Sequence, residues 1–307
     1  MIGHALVDEA SDLEALAHRV ELVSRTQVPQ ERGDGLGTAQ ASERFDELVE
    51  AVHRRDVRVG GEYFATGHVI MLTCYNADMQ LIPAIDLLDN DVVRLERGDY
   101  DRVLFRQPIE EFVHRVVATR PSLIHVVDLQ GARDGAVRLD VVSRCVEAAR
   151  ETPLQISGGI RSLESAAAVL DAGAARIIVG TSLWQDDSSL AAYVDALGDQ
   201  LVVALDVRDG RLAVRGWLAE SPIGLDDALA RCCATGVARL HVTAIERDGT
   251  MSGPDLALYE QVCASGIPVV AAGGVRDSDL DSLEAIGCEA AVMGVGYLAR
   301  LGLDDLI

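Results

Sequence analysis

One pattern is written twice in this chain. Leu81-Ile82-Pro83-Ala84-Ile85-Asp86-Leu87 returns as Leu201-Val202-Val203-Ala204-Leu205-Asp206-Val207, so that Asp86 and Asp206 stand 120 residues apart at the ends of equivalent apolar runs. Three further landmarks recur at nearly the same offset. Ser157-Gly158-Gly159-Ile160-Arg161 returns as Ala272-Gly273-Gly274-Val275-Arg276, Ile178-Val179-Gly180 as Val292-Met293-Gly294, and His125-Val126-Val127 as His241-Val242-Thr243. A repeat of this length describes two half-domains that complete one fold together.

The elements inside each half identify the architecture. From Met79 onward, strand-length apolar runs at 81–86, 123–128, 154–157, 176–179, 201–206, 239–243, 269–272 and 290–293 alternate with helical patterns. Helices are expected at 110–118, 141–149, 163–172, 190–197, 225–234, 256–264 and 277–286. Eight strands in alternation with helices form an all-parallel sheet, and 229 residues suit a closed (β/α)8 barrel, the TIM-barrel architecture. A doubly wound open sheet is the alternative, but no G-x-G-x-x-G opens the first helix.

Residues 1–78 do not share this rhythm and read as a separate N-terminal extension, with 79–307 as the barrel. Ser11-Asp12-Leu13-Glu14 is a capping box, which predicts a helix over about 12–25. Residues 27–38 read as a linker, a second amphipathic helix carries Phe45, Leu48, Val49 and Val52, and a pair of short strands ends near Tyr75. No chemistry is evident there, and His68 reads as a packed or surface histidine.

Composition excludes whole classes of function. All 27 basic residues are Arg, so no lysine Schiff base or phosphate-loop lysine exists. A formal charge of −22 argues against nucleic acid and anionic membranes as partners, and obliges any anionic substrate to be held by local donors. The six cysteines have no metal-binding spacing and read as reduced thiols of a cytoplasmic protein. No export signal opens the chain, and no apolar run is long enough to span a bilayer.

In such barrels reactive groups sit at the C-terminal ends of strands, where both Asp86 and Asp206 fall. Gly158-Gly159 and Gly273-Gly274 follow the third and seventh strands, and Gly180 with Thr181, and Gly294, follow the fourth and eighth. Bare backbone N–H groups at such glycines can approach an oxyanion closely. Two sets on opposite sides of the mouth call for a long ligand with a phosphate at each end.

These motifs together resemble the phosphoribosylformimino-aminoimidazole-carboxamide ribotide isomerase family of histidine biosynthesis. The resemblance rests on Ile82-Pro83-Ala84-Ile85-Asp86-Leu87, Val93-Arg94-Leu95 with Gly98-Asp99-Tyr100, and His125 to Leu129. It continues through Gly158 to Arg161, Leu205 to Arg208, Gly216-Trp217, and Thr243 to Thr250. It implies an Amadori rearrangement of a bis-phosphorylated ribotide, aminoaldose to aminoketose, with no cofactor or metal. By matched position Asp86 would take the C2 proton, Asp206 would protonate the ring oxygen, and Thr243 would orient the sugar. Trp217 would stack on the aminoimidazole, Arg94 and Asp128 would bind or support, and His125 and His241 would pack. A monomer is expected.

The chain departs from that family in its first 78 residues, read as an appended module or an upstream start, in Gly294-Val295-Gly296, and in a short eighth helix. Three alternatives stay open. One is a dual-substrate isomerase that also acts on phosphoribosylanthranilate, for which Arg215 beside Gly216-Trp217 is the only pointer. The others are the sister cyclase, whose strand-one Cys and catalytic Lys are missing, and an idle barrel kept for binding.

Overall fold

The structure is a computed structural model that describes residues 21–23, 57–60, 71–76 and 79–303, apart from 97, 185, 187, 215 and 218. The chain divides into two units, Met1–Asp78 and Met79–Ile307. In the first, strand Met71–Asn76 is flanked on both sides by antiparallel partners, Glu21–Val23 and Val57–Gly60. The helix expected over 12–25 is therefore corrected at its end. Glu21-Leu22-Val23 pairs with Met71-Leu72-Thr73, and the ladder to a distant strand overrides a helical pattern carried by a local capping box. The remainder of that helix, the 27–38 linker, the second helix and His68 lie outside the described residues.

The second unit is a closed barrel of eight parallel strands: β1 (Gln80–Leu88), β2 (Ile124–Asp128), β3 (Leu154–Ser157), β4 (Arg176–Val179), β5 (Leu201–Arg208), β6 (Leu240–Ala244), β7 (Val269–Ala272) and β8 (Ala290–Met293). Each pairs with the next in parallel, and β8 pairs with β1 to close the ring. Apolar runs suit this sheet because both of its faces are buried. Along β7, Val269 and Ala271 pack outward against the helices, while Val270 and Ala272 join Ile82, Ala290 and Val292 in an inner cluster. Side chains alternate across a strand, so residues two apart share a face. Asp86 shares the face of Ile82 and Ala84, and Thr243 that of His241, which places these polar groups inside the mouth.

Helices cover the outside, and their buried stripes explain why they form there. Ile109–Ala118 buries Ile109, Phe112, Val113 and Val116, and Leu139–Ala149 buries Val141, Val142, Cys145, Ala148 and Ala149. The last helix, Val295–Arg300, is six residues long.

Two antiparallel hairpins extend the barrel at equivalent places. Strands Asp91–Glu96 and Asp99–Pro108 add to β1, and strands Arg211–Val214 and Ala219–Gly224 add to β5. The sequence reading missed both. They bring Arg94 and Trp217 over the mouth.

Candidate functional site

Asp86 lies in the inward row of β1, two residues before the strand ends, and is the partner of Val127 on β2. Its side chain keeps 28% of its surface open to the mouth, and Arg94 Nη1 from the first hairpin lies 3.9 Å from Oδ2. Burial pushes the Asp86 carboxyl up to about 6; the Arg94 guanidinium opposes the shift and the Asp248 carboxylate adds to it. Desolvation outweighs the arginine because 3.9 Å is an ion-pair distance without a tight hydrogen bond. Asp86, Arg94 and Gly294 line one cavity.

Asp206 occupies the matching place on β5, and its register partner is Thr243 on β6. The Thr243 hydroxyl and the Trp217 indole N–H donate to its carboxylate. Burial raises the Asp206 pKa, the two donors pull it back, and Asp248 raises it further. Trp217 reaches Asp206 from the turn between the second hairpin's strands, where Gly216 has φ 64° and Trp217 itself φ 67°. A left-handed tryptophan costs on the order of 1 kcal/mol or more, offset here by the hairpin and by the bond to Asp206. Arg215 lies outside the described residues.

Asp248 is the site group that sequence reasoning missed. Its position in the run Thr243–Thr250 was visible, but its reach was not. It follows the turn Ile245–Arg247 after β6, and burial raises its own pKa while Arg94 and the Gly249 N–H pull it part of the way back. Its charge acts on both Asp86 and Asp206. Three carboxylates and one arginine thus share the mouth.

The paired glycines are matched in conformation. Gly158 and Gly159 have φ 104° and 74°, and Gly273 and Gly274 have φ 104° and 71°. A Cβ on Gly158 would lie 2.2 Å from the Asp128 carbonyl oxygen, and one on Gly273 would lie 2.6 Å from that of Ala244. The preceding strand's loop therefore demands glycine at these positions, whatever the ligand. Gly180 and Gly294 have no such constraint: a Cβ there would meet Ala204 Cβ at 3.3 Å and Ala84 Cβ at 3.9 Å. Thr181 begins the turn Thr181–Trp184 directly after β4.

Asp128 has its carboxylate taken up inside the protein. It is 2% exposed and caps helix Leu129–Asp134 by accepting from Gly131 N at 2.9 Å. Arg138 donates to it from Nε at 3.0 Å and from Nη2 at 2.5 Å. It fastens the loop after β2. His125 and His241 meet inside the barrel with ring centroids 5.0 Å apart, both buried. Burial lowers the pKa of each, that of His125 to about 4. Among the described residues, no cluster of three or more His, Cys, Asp or Glu could hold a metal, and no helix is long and apolar enough to cross a membrane.

Residues 80–299, the barrel just described, match the family model "Histidine biosynthesis protein". The chain belongs to this family. Relatives named 1-(5-phosphoribosyl)-5-((5-phosphoribosylamino)methylideneamino) imidazole-4-carboxamide isomerase are similar over most of their length. The Synechococcus sp. (strain JA-3-3Ab) protein is 39% identical over 76% of this chain and 91% of its own. That of Acaryochloris marina is 39% identical over 75% and 92%, and that of Thermomicrobium roseum 38% over 70% and 91%. With relatives of this name at 38–39% identity over most of their length, the protein is an isomerase, and the family match begins at Gln80, one residue into the second unit.

Proposed function

We propose that the protein catalyses the reaction for which these relatives are named. It opens the furanose of a bis-phosphorylated aminoimidazole-carboxamide ribotide and isomerises the aminoaldose to the aminoketose. The observation that carries this reading is the pair of inward carboxylates, Asp86 and Asp206, held at one barrel mouth in a chain of this family.

The reaction needs one proton delivered to the ring oxygen and one removed from C2. A base works best with a pKa near the operating pH, and Asp86 at about 6 is largely ionised at neutral pH while retaining useful proton affinity. Asp86 is therefore the base. Asp206 is the acid, yet the hydroxyl of Thr243 and the indole of Trp217 both favour its ionised form. Substrate binding resolves this conflict. When Trp217 turns to stack on the flat heterocycle, one donor leaves Asp206 and its proton affinity rises, so the movement that grips the base also loads the acid. Thr243 remains to orient Asp206 and the sugar.

Gly158, Gly159, Gly180 and Thr181 hold one phosphate, and Gly273, Gly274 and Gly294 hold the other, through backbone N–H groups. Arg94 steadies Asp86 and attracts the anionic substrate, and Asp128 supports the mouth through Arg138. The protein acts as a cytoplasmic monomer, and residues 1–78 form an appended module that the chemistry does not use.

Turnover of the ribotide by full-length protein tests this reading; inactivity, or activity on phosphoribosylanthranilate alone, would overturn it. Trp217→Phe tests the coupling, because it keeps a ring and loses the N–H. The alkaline limb of kcat/KM, which reports free enzyme, should move to higher pH, while that of kcat, which reports the complex, should stay in place.

A further inference from the structure

Outside the mouth, the two thiols of Cys263 and Cys288 touch. Their Sγ atoms lie 3.7 Å apart although 25 residues separate them in the chain. We propose that they form an oxidation-responsive pair: a peroxide converts them to a Cys263–Cys288 disulfide that staples the sixth and eighth β/α units together.

The placement of each cysteine suits its part. Cys263 is the last residue of helix Leu256–Cys263 and is half-buried, so a small oxidant can reach it. Cys288 is buried, two residues before β8, and its N–H is fixed to the Leu283 carbonyl at 3.0 Å. The backbone between them is already close, since a Cβ on Gly287 would lie 3.9 Å from Cys263 Cβ. A disulfide needs its sulfurs about 2.0 Å apart, so closure asks for side-chain rotation over a short path. Cys288 sits at the start of β8, whereas Gly294 follows that strand's other end. The staple therefore forms at the face of the barrel opposite the chemistry, where changes act on stability.

The remaining described thiols lack these features. Cys145 and Cys232 are fully buried, and Cys233 is exposed with the Ser265 carbonyl as its sulfur's neighbour at 3.8 Å.

The chemistry balances. The Cys263 thiolate attacks a peroxide oxygen, the O–O bond breaks, and hydroxide leaves and takes up a proton, which gives a sulfenic acid and water. The Cys288 sulfur then attacks the Cys263 sulfur, the S–O bond breaks, and the hydroxide leaves as a second water with the remaining thiol proton. Two thiols lose two electrons and two protons, and the peroxide is reduced to two waters.

The absence of lysine makes the test direct. Trypsin cuts after Arg247, Arg276 and Arg300, so Cys263 falls on peptide 248–276 and Cys288 on peptide 277–300, each with a single cysteine. Full-length protein treated with hydrogen peroxide, alkylated and digested should yield these two peptides joined and lighter by two hydrogens. Its Tm should rise by roughly 5 °C or more, because the closed loop is long enough to restrict the unfolded chain. Cys263→Ser and, separately, Cys288→Ala should abolish both effects, and Cys233→Ser should abolish neither. Peroxide that takes Cys263 to a sulfinic acid, or joins it to another cysteine, while peptides 248–276 and 277–300 stay apart would overturn the proposal.

Discussion

Asp206 is paired across the sheet with Thr243, whereas Asp86, its counterpart in the other half-barrel, is paired with Val127. The two halves are otherwise closely matched here, down to the φ angles of their glycine pairs. A hydroxyl on one side and an isopropyl group on the other breaks the two-fold symmetry where the proposed proton transfers take place. One carboxylate gains a hydrogen-bond donor from its neighbouring strand, and the other meets a hydrocarbon and an arginine. An asymmetric reaction requires such a difference, since two identical acids could not divide the roles of donor and acceptor.

Thr243→Val rebuilds the symmetric arrangement. It removes a hydrogen bond to a charged group, worth about 1.5–3 kcal/mol, so kcat should fall by about 10- to 100-fold with KM changed much less. The fold should hold, because valine already fills the equivalent place at Val127. Steady-state kinetics on the purified variant check this, and unchanged kcat would remove Thr243 from the mechanism.

Asp86→Asn should trade activity for stability. Loss of the base should lower kcat by about 10² to 10⁴. The folded pKa of Asp86 lies near 6, above the ordinary 3.8, so stability falls as pH rises through that window and the ionised side chain is a burden at neutral pH. The neutral amide removes that burden, worth about 1–3 kcal/mol, and should raise Tm. The wild-type acid limb of kcat/KM should lie near pH 6 and should vanish in the variant's residual activity.

The phosphate cradles need a variant that the backbone tolerates. Gly159→Val and Gly274→Val would strain positive-φ positions and collide with carbonyl oxygens of the preceding loops, so they lose function with or without a phosphate. Gly294→Ala is the discriminating change. Its Cβ has room in the protein, with Ala84 Cβ the nearest atom at 3.9 Å, so Tm should stay within about 2 °C. A methyl group beside the anion should raise KM by about tenfold or more. Normal KM would show that this glycine holds no phosphate.

The histidine pair in the barrel interior sets an acid limit on stability. His125 has a folded pKa of about 4 against an ordinary 6.5, and that of His241 is also well below 6.5. Burial is the main cause for both rings, and the Arg176 charge lowers each further. A depressed histidine pKa means the unfolded chain binds more protons, so stability is intact above pH 6.5 and declines as pH falls toward 4. Asp86 contributes the opposite slope over this range, so the test is comparative: between pH 7.5 and 4.5 the wild-type Tm should lose more, or gain less, than that of His125→Gln. Identical pH profiles for the wild type and His125→Gln would contradict the buried, neutral state of the pair.

Much of this architecture was legible before any coordinates. The eight barrel strands fall where apolar runs were expected, six of them with at least one boundary unchanged, because a parallel strand buried on both faces must be written as a short continuous apolar stretch. Asp86 and Asp206 stood out because a carboxylate at the end of such a run, repeated 120 residues later, has no packing role. The hairpins carrying Arg94 and Trp217 were not legible. Asp99–Pro108 is largely exposed and has no strict alternation, so its strand character comes from pairing with Asp91–Glu96 rather than from its own pattern. Glu21–Val23 failed for the same reason. Periodicity and capping are properties of neighbouring residues, and the chain alone determined the barrel, its two-fold repeat and the two acids. The tertiary structure alone decided the meeting of Asp248 with both acids, the engagement of Asp128 by Arg138, the hold of Trp217 on Asp206 and the contact of Cys263 with Cys288. Each of these depends on distances between residues that the barrel brings together from different β/α units or loops, and such distances have no local signature.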